Sequence, residues 1–275
     1  MNCVPVRSLP NGVEMPALGF GVWQVPDDDA TVSVAEALRV GYRSIDTAAV
    51  YENERGTGRA IVESGIPRSE IFLTTKLWNA DHGRDNALRA FDASLKRLGV
   101  DYVDLYLIHW PVPSLDRYVE TWRAVVSLLD DGRAHAVGVS NFLPDHLDRL
   151  VDETGVAPAV NQIEFHPGWQ PREVQAANDR HGIVTEAWSP LGQGTVLAAP
   201  PIVAIANQVR RTPAQVVLRW HLDRGRIVIP KSVTPARIAE NAAVTDFALS
   251  AEQLAAIDGL AADGGRLGPD PATFL

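Results

Sequence analysis

The chain has 275 residues, with 25 Lys+Arg against 34 Asp+Glu for a formal charge of −9, and 46% hydrophobic and 21% charged residues. That is globular rather than disordered composition, and an acidic chain without a Lys/Arg-rich helix face excludes nucleic acid as an expected partner. A single cysteine, Cys3, excludes an intramolecular disulfide and a cysteine-rich zinc site, and no apolar run reaches the ~18–20 residues of a membrane span. The segment MNCVPVRSLPNG has neither the apolar core nor the small-residue cleavage site of a signal peptide. The expectation is a soluble, cytoplasmic protein without a membrane partner. Its helical faces show no large apolar patch, so a monomer is expected.

At roughly 100–200 residues per domain, the length fits two small domains or one large α/β barrel. In chain order, the first signal is Pro10-Asn11-Gly12 between apolar runs, a hairpin that could cap the bottom of a barrel. Eight short β-branched apolar runs follow, at 19–25, 42–48, 71–78, 103–110, 134–142, 159–165, 183–189 and 226–233. Runs apolar on both faces are what a helix-covered parallel sheet requires. Amphipathic segments lie between them. Leu88, Phe91, Leu95 and Leu98 form one stripe, and Tyr118, Trp122, Val125 and Leu129 another. Capping boxes read at Thr212–Gln215 and Ser250–Gln253, and left-handed C-cap glycines at 41, 65, 99, 155 and 182.

Strict alternation through eight units of about 34 residues, without a linker, predicts one (β/α)8 TIM barrel over residues 1–275. A doubly wound sheet would usually carry G-x-G-x-x-G after its first strand, and this chain has none there.

Barrel active sites lie at the C-terminal ends of the strands. Those ends read Trp23, Asp46, Lys76, His109, Ser140-Asn141, Gln162, Trp188-Ser189 and Lys231-Ser232. Asp46, Tyr51, Lys76 and His109 come from adjacent units, so they converge. A phenol titrates near ~10; a neighbouring ammonium lowers that value and a carboxylate fixes the ammonium. Asp–Lys–Tyr therefore tunes Tyr51 as a general acid/base, while His109 can orient a carbonyl by hydrogen bonding. Such an assembly protonates a forming alkoxide, half of a carbonyl reduction. The hydride half has no protein source and demands a cofactor.

The strand-eight segment reads as a phosphate seat. Lys231, Ser232 and Thr234 precede a helix that Thr234 caps and Pro235 begins, and Lys231 with Arg237 adds charge suited to a 2′-phosphate. For a nicotinamide dinucleotide cofactor, that charge favours NADPH over NADH. Trp23, Trp78 and Trp110 sit at strand ends beside catalytic candidates and predict an apolar, rigid substrate pocket, whereas Trp122 and Trp220 belong to helix packing. Trp169 has no assigned role.

With their surroundings, these residues resemble the aldo-keto reductase family. The motifs are Gly21-Val-Trp23, Asp46-Thr-Ala-x-x-Tyr51-x-Asn-Glu54, Thr75-Lys76-Leu-Trp78, Asp104-Leu-Tyr-Leu-Ile-His109-Trp-Pro111, Gly138-Val-Ser-Asn-Phe142, Asn161-Gln-Ile-Glu164, Trp188-Ser-Pro-Leu-Gly192 and Ile229-Pro-Lys-Ser-Val-Thr234. The compact form, with its final Arg266-Leu-Gly-Pro-Asp-Pro, is similar to the bacterial branch that includes 2,5-diketo-D-gluconate reductases. The resemblance implies Tyr51 as proton donor, Lys76 and Asp46 as its tuners, His109 as the orienting residue, and NADP(H) extended across the barrel mouth. It implies carboxamide contacts from Ser140, Asn141 and Gln162, stacking by Trp188, and a cofactor footprint that includes Gly21, Val22, Ser189, Leu191, Gln193, Val233, Glu240 and Asn241. The short loop after strand four and the short tail point to an open pocket for small aldehydes, α-dicarbonyls such as methylglyoxal, and keto-sugars.

A metallohydrolase would use some of the seven histidines, yet none forms H-x-H or H-E-x-x-H, so no metal is expected. The resembled family also includes NADPH-holding regulatory subunits that act as redox sensors, a non-catalytic alternative.

Overall fold

In the computed structural model, residues 4–275 are described; Cys3 lies outside the described residues. Strands β1 (Val6–Ser8) and β2 (Glu14–Pro16) pair antiparallel around the Pro10–Gly12 turn. Each of the eight apolar runs then supplies one parallel strand: β3 (Phe20–Gly21), β4 (Ser44–Asp46), β5 (Phe72–Leu77), β6 (Val103–Ile108), β7 (Ala134–Ser140), β8 (Val160–Glu164), β9 (Val184–Trp188) and β10 (Ile227–Val228). They pair in strictly sequential order. The ring closes where Leu18 bridges Val228: Gly19 N–H donates to Val228 O at 2.8 Å, and Val228 N–H to Ala17 O at 3.0 Å.

Among the described residues ten α-helices surround the barrel: α1 (Asp27–Arg39), α2 (Glu54–Glu63), α3 (Arg84–Leu98), α4 (Tyr118–Ser127), α5 (Pro144–Thr154), α6 (Arg172–His181), α7 (Pro200–Val209), α8 (Pro213–Asp223), α9 (Pro235–Ala242) and α10 (Ala251–Asp258). Local chemistry sets their ends. Both capping boxes form, with Thr212 and Ser250 accepting from the N–H of Gln215 and Gln253. All five C-terminal glycines take positive φ, between +68° and +109°. One cap differs from expectation: Thr234 precedes Pro235 at the start of α9 but makes no side-chain capping bond.

Helices and sheet share an outer core that buries Phe91, Trp122, Phe142 and Trp220. Phe91 and Leu98 are buried and Leu88 and Leu95 pack beside them, as the α3 stripe requires. Inside the barrel, side chains alternate inward along each strand. At the bottom, Phe72, Leu105, Leu107, Val160 and Ile227 form a second cluster with Leu9 and Met15 of the hairpin, so the hairpin plugs that end. Further up three of the strands the inward positions turn polar, through Ser44 to Asp46 on β4, Thr74 to Lys76 on β5, and Val160 to Gln162 on β8. Polarity rises toward the C-terminal rim, and this gradient locates the site. Among the described residues no helix is long and apolar enough to cross a membrane.

Candidate active site

Asp46 ends β4, Lys76 lies in β5, and Tyr51 ends a single 3-10 turn, Ala49–Tyr51, that directly follows β4. Parallel pairing of β4 with β5 brings the first two together. Lys76 is wholly buried (0% exposed). Its Nζ lies 2.5 Å from Asp46 Oδ1, 3.0 Å from Thr47 O and 3.5 Å from the Tyr51 hydroxyl. Burial is the largest single influence on Lys76 and pulls it down, but the charge and hydrogen bond of Asp46, with Tyr51 and Glu186, together outweigh it and hold the lysine above its ordinary range. For Tyr51 the balance runs otherwise. Burial is the largest influence and raises it, Lys76 pulls it down, and the net direction is up. The sequence-based expectation that Lys76 lowers Tyr51 is therefore right for that interaction and wrong for the sum, because desolvation of the phenolate outweighs it.

His109 follows β6, its ring 5.6 Å from the Tyr51 ring and edge-on to it. Burial, then Lys76, pushes its pKa well below the ordinary value. It is therefore a neutral imidazole, with Nδ1 buried and without a partner. The four predicted catalytic residues come together in one array.

The three residues assigned to a carboxamide are near one another and already engaged. Ser140 Oγ donates to Gln162 O at 2.8 Å; Asn141 Nδ2 donates to His109 O and Ser140 Oγ, both at 3.0 Å. Gln162 Nε2 donates to Asp46 Oδ2 and to Glu186 Oε2, both at 2.8 Å. Trp188 Nε1–H donates to Asn141 Oδ1 at 2.8 Å, which fixes the indole plane. Asn141 and Ser189 follow their strands with φ of +64° and +46°, a left-handed geometry that non-glycine residues pay for and that concentrates at functional rims.

The expected tryptophan wall is uneven. Trp110 is buried (7%) and Trp78 half-buried, while Trp23 is 43% exposed. Trp78 and His109 stand 5.3 Å apart. The sequence reading missed the fourth aromatic: Phe274 of the tail packs 4.5 Å from Trp110 and 6.4 Å from Trp78. The tail thus returns over the barrel mouth, and the pocket is more enclosed than its length implied. Glu164, buried at the end of β8, holds it there, accepting Leu267 N–H at 2.6 Å, Gly268 N–H at 2.9 Å and a contact from His166 Nε2 at 3.1 Å. Trp169 now has a place, its ring lying 4.8 Å beneath the Arg266 guanidinium.

After β10, Ser232 is buried, and Lys231, Val233, Thr234 and Arg237 are exposed. Ser232 Oγ accepts Thr234 N–H at 3.1 Å. Because Thr234 does not cap α9, its hydroxyl leaves the first-turn N–H groups uncovered, beside two cations that form no ion pair in the described residues. That is chemistry for an anion. Glu240 instead accepts the Thr212 hydroxyl at 2.8 Å, joining α9 to α8, and Asn241 is buried beside it. Gly21 and Val22 are buried at the rim between β3 and β10, Ser189 and Leu191 are half-buried after β9, and Gln193 is exposed. Among the described residues no group of three or more His, Cys, Asp or Glu is placed to hold a metal.

The Aldo/keto reductase family model matches residues 17–262. An aldo-keto reductase of Mycolicibacterium smegmatis is 57% identical over 270 residues, covering 98% of each chain. The methylglyoxal reductase DkgA of Escherichia coli K12 is 52% identical over 271 residues, again covering 98% of each. Among solved structures, a mutant of Gox0644 in complex with NADPH superposes with a TM-score of 0.96 at 49% identity, over 99% of both chains.

Proposed function

This chain belongs to the aldo/keto reductase family, and from that premise we propose that it reduces small aldehydes, α-dicarbonyls such as methylglyoxal, and keto-sugars to alcohols, with Tyr51 as proton donor. It is an NADP(H)-dependent oxidoreductase acting on carbonyl groups. The whole chain, residues 1–275, is taken as one catalytic domain. The observation that carries the reading is the buried Lys76 Nζ, 2.5 Å from Asp46 and 3.5 Å from the Tyr51 hydroxyl.

Bound at the mouth, the nicotinamide cofactor supplies the hydride, which no side chain can. The residues present fit it. The Trp188 indole, fixed by Asn141, offers a rigid face for stacking. Asn141 Nδ2 and Gln162 Nε2 already donate elsewhere, so what is left to accept a carboxamide –NH2 is Gln162 Oε1 and the second lone pair of Asn141 Oδ1, whose first takes the Trp188 N–H. Lys231, Arg237 and the uncapped start of α9 would take the 2′-phosphate.

The protein's own part is the proton. A substrate carbonyl beside Tyr51 and His109 meets two donors: the phenol O–H and the Nε2–H of a neutral imidazole whose Nδ1 is shut away. As negative charge develops on the carbonyl oxygen, Tyr51 gives up its proton. The phenolate left behind is stabilised by Lys76, whose charge is in turn fixed by Asp46. Burial that makes Tyr51 a reluctant acid at rest also strengthens this Lys76 interaction at the moment of transfer. Trp78, Trp110 and Phe274 exclude water around the carbonyl.

NADPH oxidation should be seen with methylglyoxal and 4-nitrobenzaldehyde. Tyr51→Phe should lower kcat by about 10²-fold or more, the range of general acid catalysis, while NADPH binding, followed by fluorescence, stays within about twofold. Binding without turnover on a broad carbonyl panel would refute the reductase reading, and a Tyr51→Phe enzyme that kept most of its rate would refute the proton-donor role alone.

A further inference from the structure

Below the array lies a second carboxyl that the reaction as described does not use. Glu186 is on β9, two residues before Trp188, so both side chains point into the barrel. It is fully buried (0% exposed), with Gln162 of β8 and Ile227 of β10 as its register partners. One amide joins it to the catalytic pair, for Gln162 Nε2 gives one hydrogen to Glu186 Oε2 and the other to Asp46 Oδ2, both at 2.8 Å. The two carboxyls differ sharply in their company. Asp46 has the Lys76 ammonium at 2.5 Å. Glu186 has no cation within ion-pair distance among the described residues, and its Oε1 is buried with no hydrogen-bond partner. Two strand hydroxyls beneath the array, Ser44 Oγ on β4 and Thr74 Oγ1 on β5, are buried without partners too. A single amide hydrogen cannot replace the hydration of a carboxylate, whereas a neutral acid tolerates such a site far better.

We propose that Glu186 is a further positioning residue of this reaction: protonated while the enzyme works, it shares Gln162 with Asp46 and keeps the Asp46–Lys76–Tyr51 array set for proton donation, and its ionisation weakens that array at alkaline pH. The mechanism rests on Tyr51 being the donor. The titratable groups facing Glu186 are Asp46 from β4, Lys76 from β5 and Tyr51 from the turn after β4; β8 offers the Gln162 amide, and β10 the apolar Ile227. Burial, then the charge of Asp46, pushes Glu186 up to about 8, against weaker pulls from Gln162 and Lys76. When it ionises, it releases one proton to solvent and leaves a negative charge beneath the array. That charge raises Tyr51 and Lys76 alike. The phenol then holds its proton more tightly when it must give it away.

The test has two arms. In the protein without cofactor, infrared difference spectra of a pH titration should contain the carbonyl stretch of a protonated carboxylic acid at pH 7 that disappears through an inflection near 8, and Glu186→Gln should lack it. In steady state, wild-type kcat/KM for carbonyl reduction should fall about threefold or more between pH 7 and pH 9 through that same inflection, a modest loss of general-acid strength. Glu186→Gln, which keeps an acceptor oxygen for Gln162 but has no proton to lose, should show no inflection there. A missing carboxylic acid band, or one that persists in Glu186→Gln, overturns the proposal. So does an inflection unchanged by the substitution. The infrared arm does not depend on Tyr51, so a failed proton-donor assignment and a failed Glu186 assignment give different results.

Discussion

Glu164→Ala should free the C-terminal tail without unfolding the barrel. The carboxylate accepts two tail N–H groups, those of Leu267 at 2.6 Å and Gly268 at 2.9 Å. Hydrogen bonds to a charged group contribute about 1.5–3 kcal/mol each. Taking the lower figure twice, tail docking loses about 3 kcal/mol, which raises its opening constant about 150-fold. Remaining tethers are weaker: Arg266 over Trp169 at 4.8 Å, and Phe274 against Trp110 at 4.5 Å. The Arg266–Asp270 pair at 3.0 Å lies within the tail itself and ties it to nothing.

Residues beyond α10 contribute no strand or helix to the barrel, so the loss is local. Hydrogen exchange of the 266–275 segment should accelerate about 100-fold, while Tm moves by less than about 2 °C. Were the same 3 kcal/mol lost from the global transition, Tm would drop by roughly 5 °C for a chain of this length. A large Tm drop with no selective change in tail exchange would refute the clasp. KM for carbonyl substrates should rise more than kcat falls, because Phe274 leaves the pocket wall while the proton-donating array is untouched.

A Cβ added at Gly268 would stand 2.4 Å from Trp188 Cη2 and 3.1 Å from Glu164 Oε2; at about 1–3 kcal/mol for such overpacking, Gly268→Ala should weaken NADPH binding about tenfold by fluorescence titration, and unchanged affinity would detach the tail from the stacking residue. Arg237→Ala should raise the Kd for NADPH at least about tenfold, the worth of one charge-assisted bond, and that for NADH less than about twofold; equal losses would remove the 2′-phosphate from this corner. His82 is buried, with Nε2 3.1 Å from Trp110 O, and burial first holds its pKa at about 4. The unfolded chain, titrating near ~6.5, binds that proton first as pH falls, so the stability is full above ~6.5 and declines toward 4 by about 3 kcal/mol. Urea unfolding at pH 7 and pH 4.5 should record the slope, and His82→Gln should remove the His82 share of it, leaving what the buried His109 and His221 contribute.

Much of this architecture was legible because parallel barrels write a simple pattern. Every apolar run became a strand, and every glycine placed at a helix end took the left-handed conformation. The strands are shorter than the runs for a physical reason. The last residues of each run leave the ladder to form the mouth, so Trp23, Trp78, His109, Trp110, Asn141 and Ser189 all lie just past their strands. The tail was illegible for a reason equally physical. It is held by backbone N–H groups, which every residue other than proline has, and the acceptor is more than a hundred positions away. No local periodicity records such a contact. Thr234 shows the limit of cap signals: residue type and a following proline were right, yet its side chain does not bond to the turn.

Glu164 and Glu186 were both visible in apolar strand runs, and parity alone would have turned them inward or rimward. Glu186 shares its face with Trp188, and Glu164 shares its face with Gln162. An acid on the inner face of a closed barrel must find donors or keep its proton. At the rim, Glu164 finds three donors, two of them from a segment that folds down over the mouth. One layer lower nothing can fold in, and Glu186 finds a single amide hydrogen already linked to Asp46 through its twin. The difference is depth, not residue type. Depth emerges only when the strands' relative stagger is known, so the sequence could mark both residues as unusual without saying that one anchors a lid and the other holds a proton under the catalytic array.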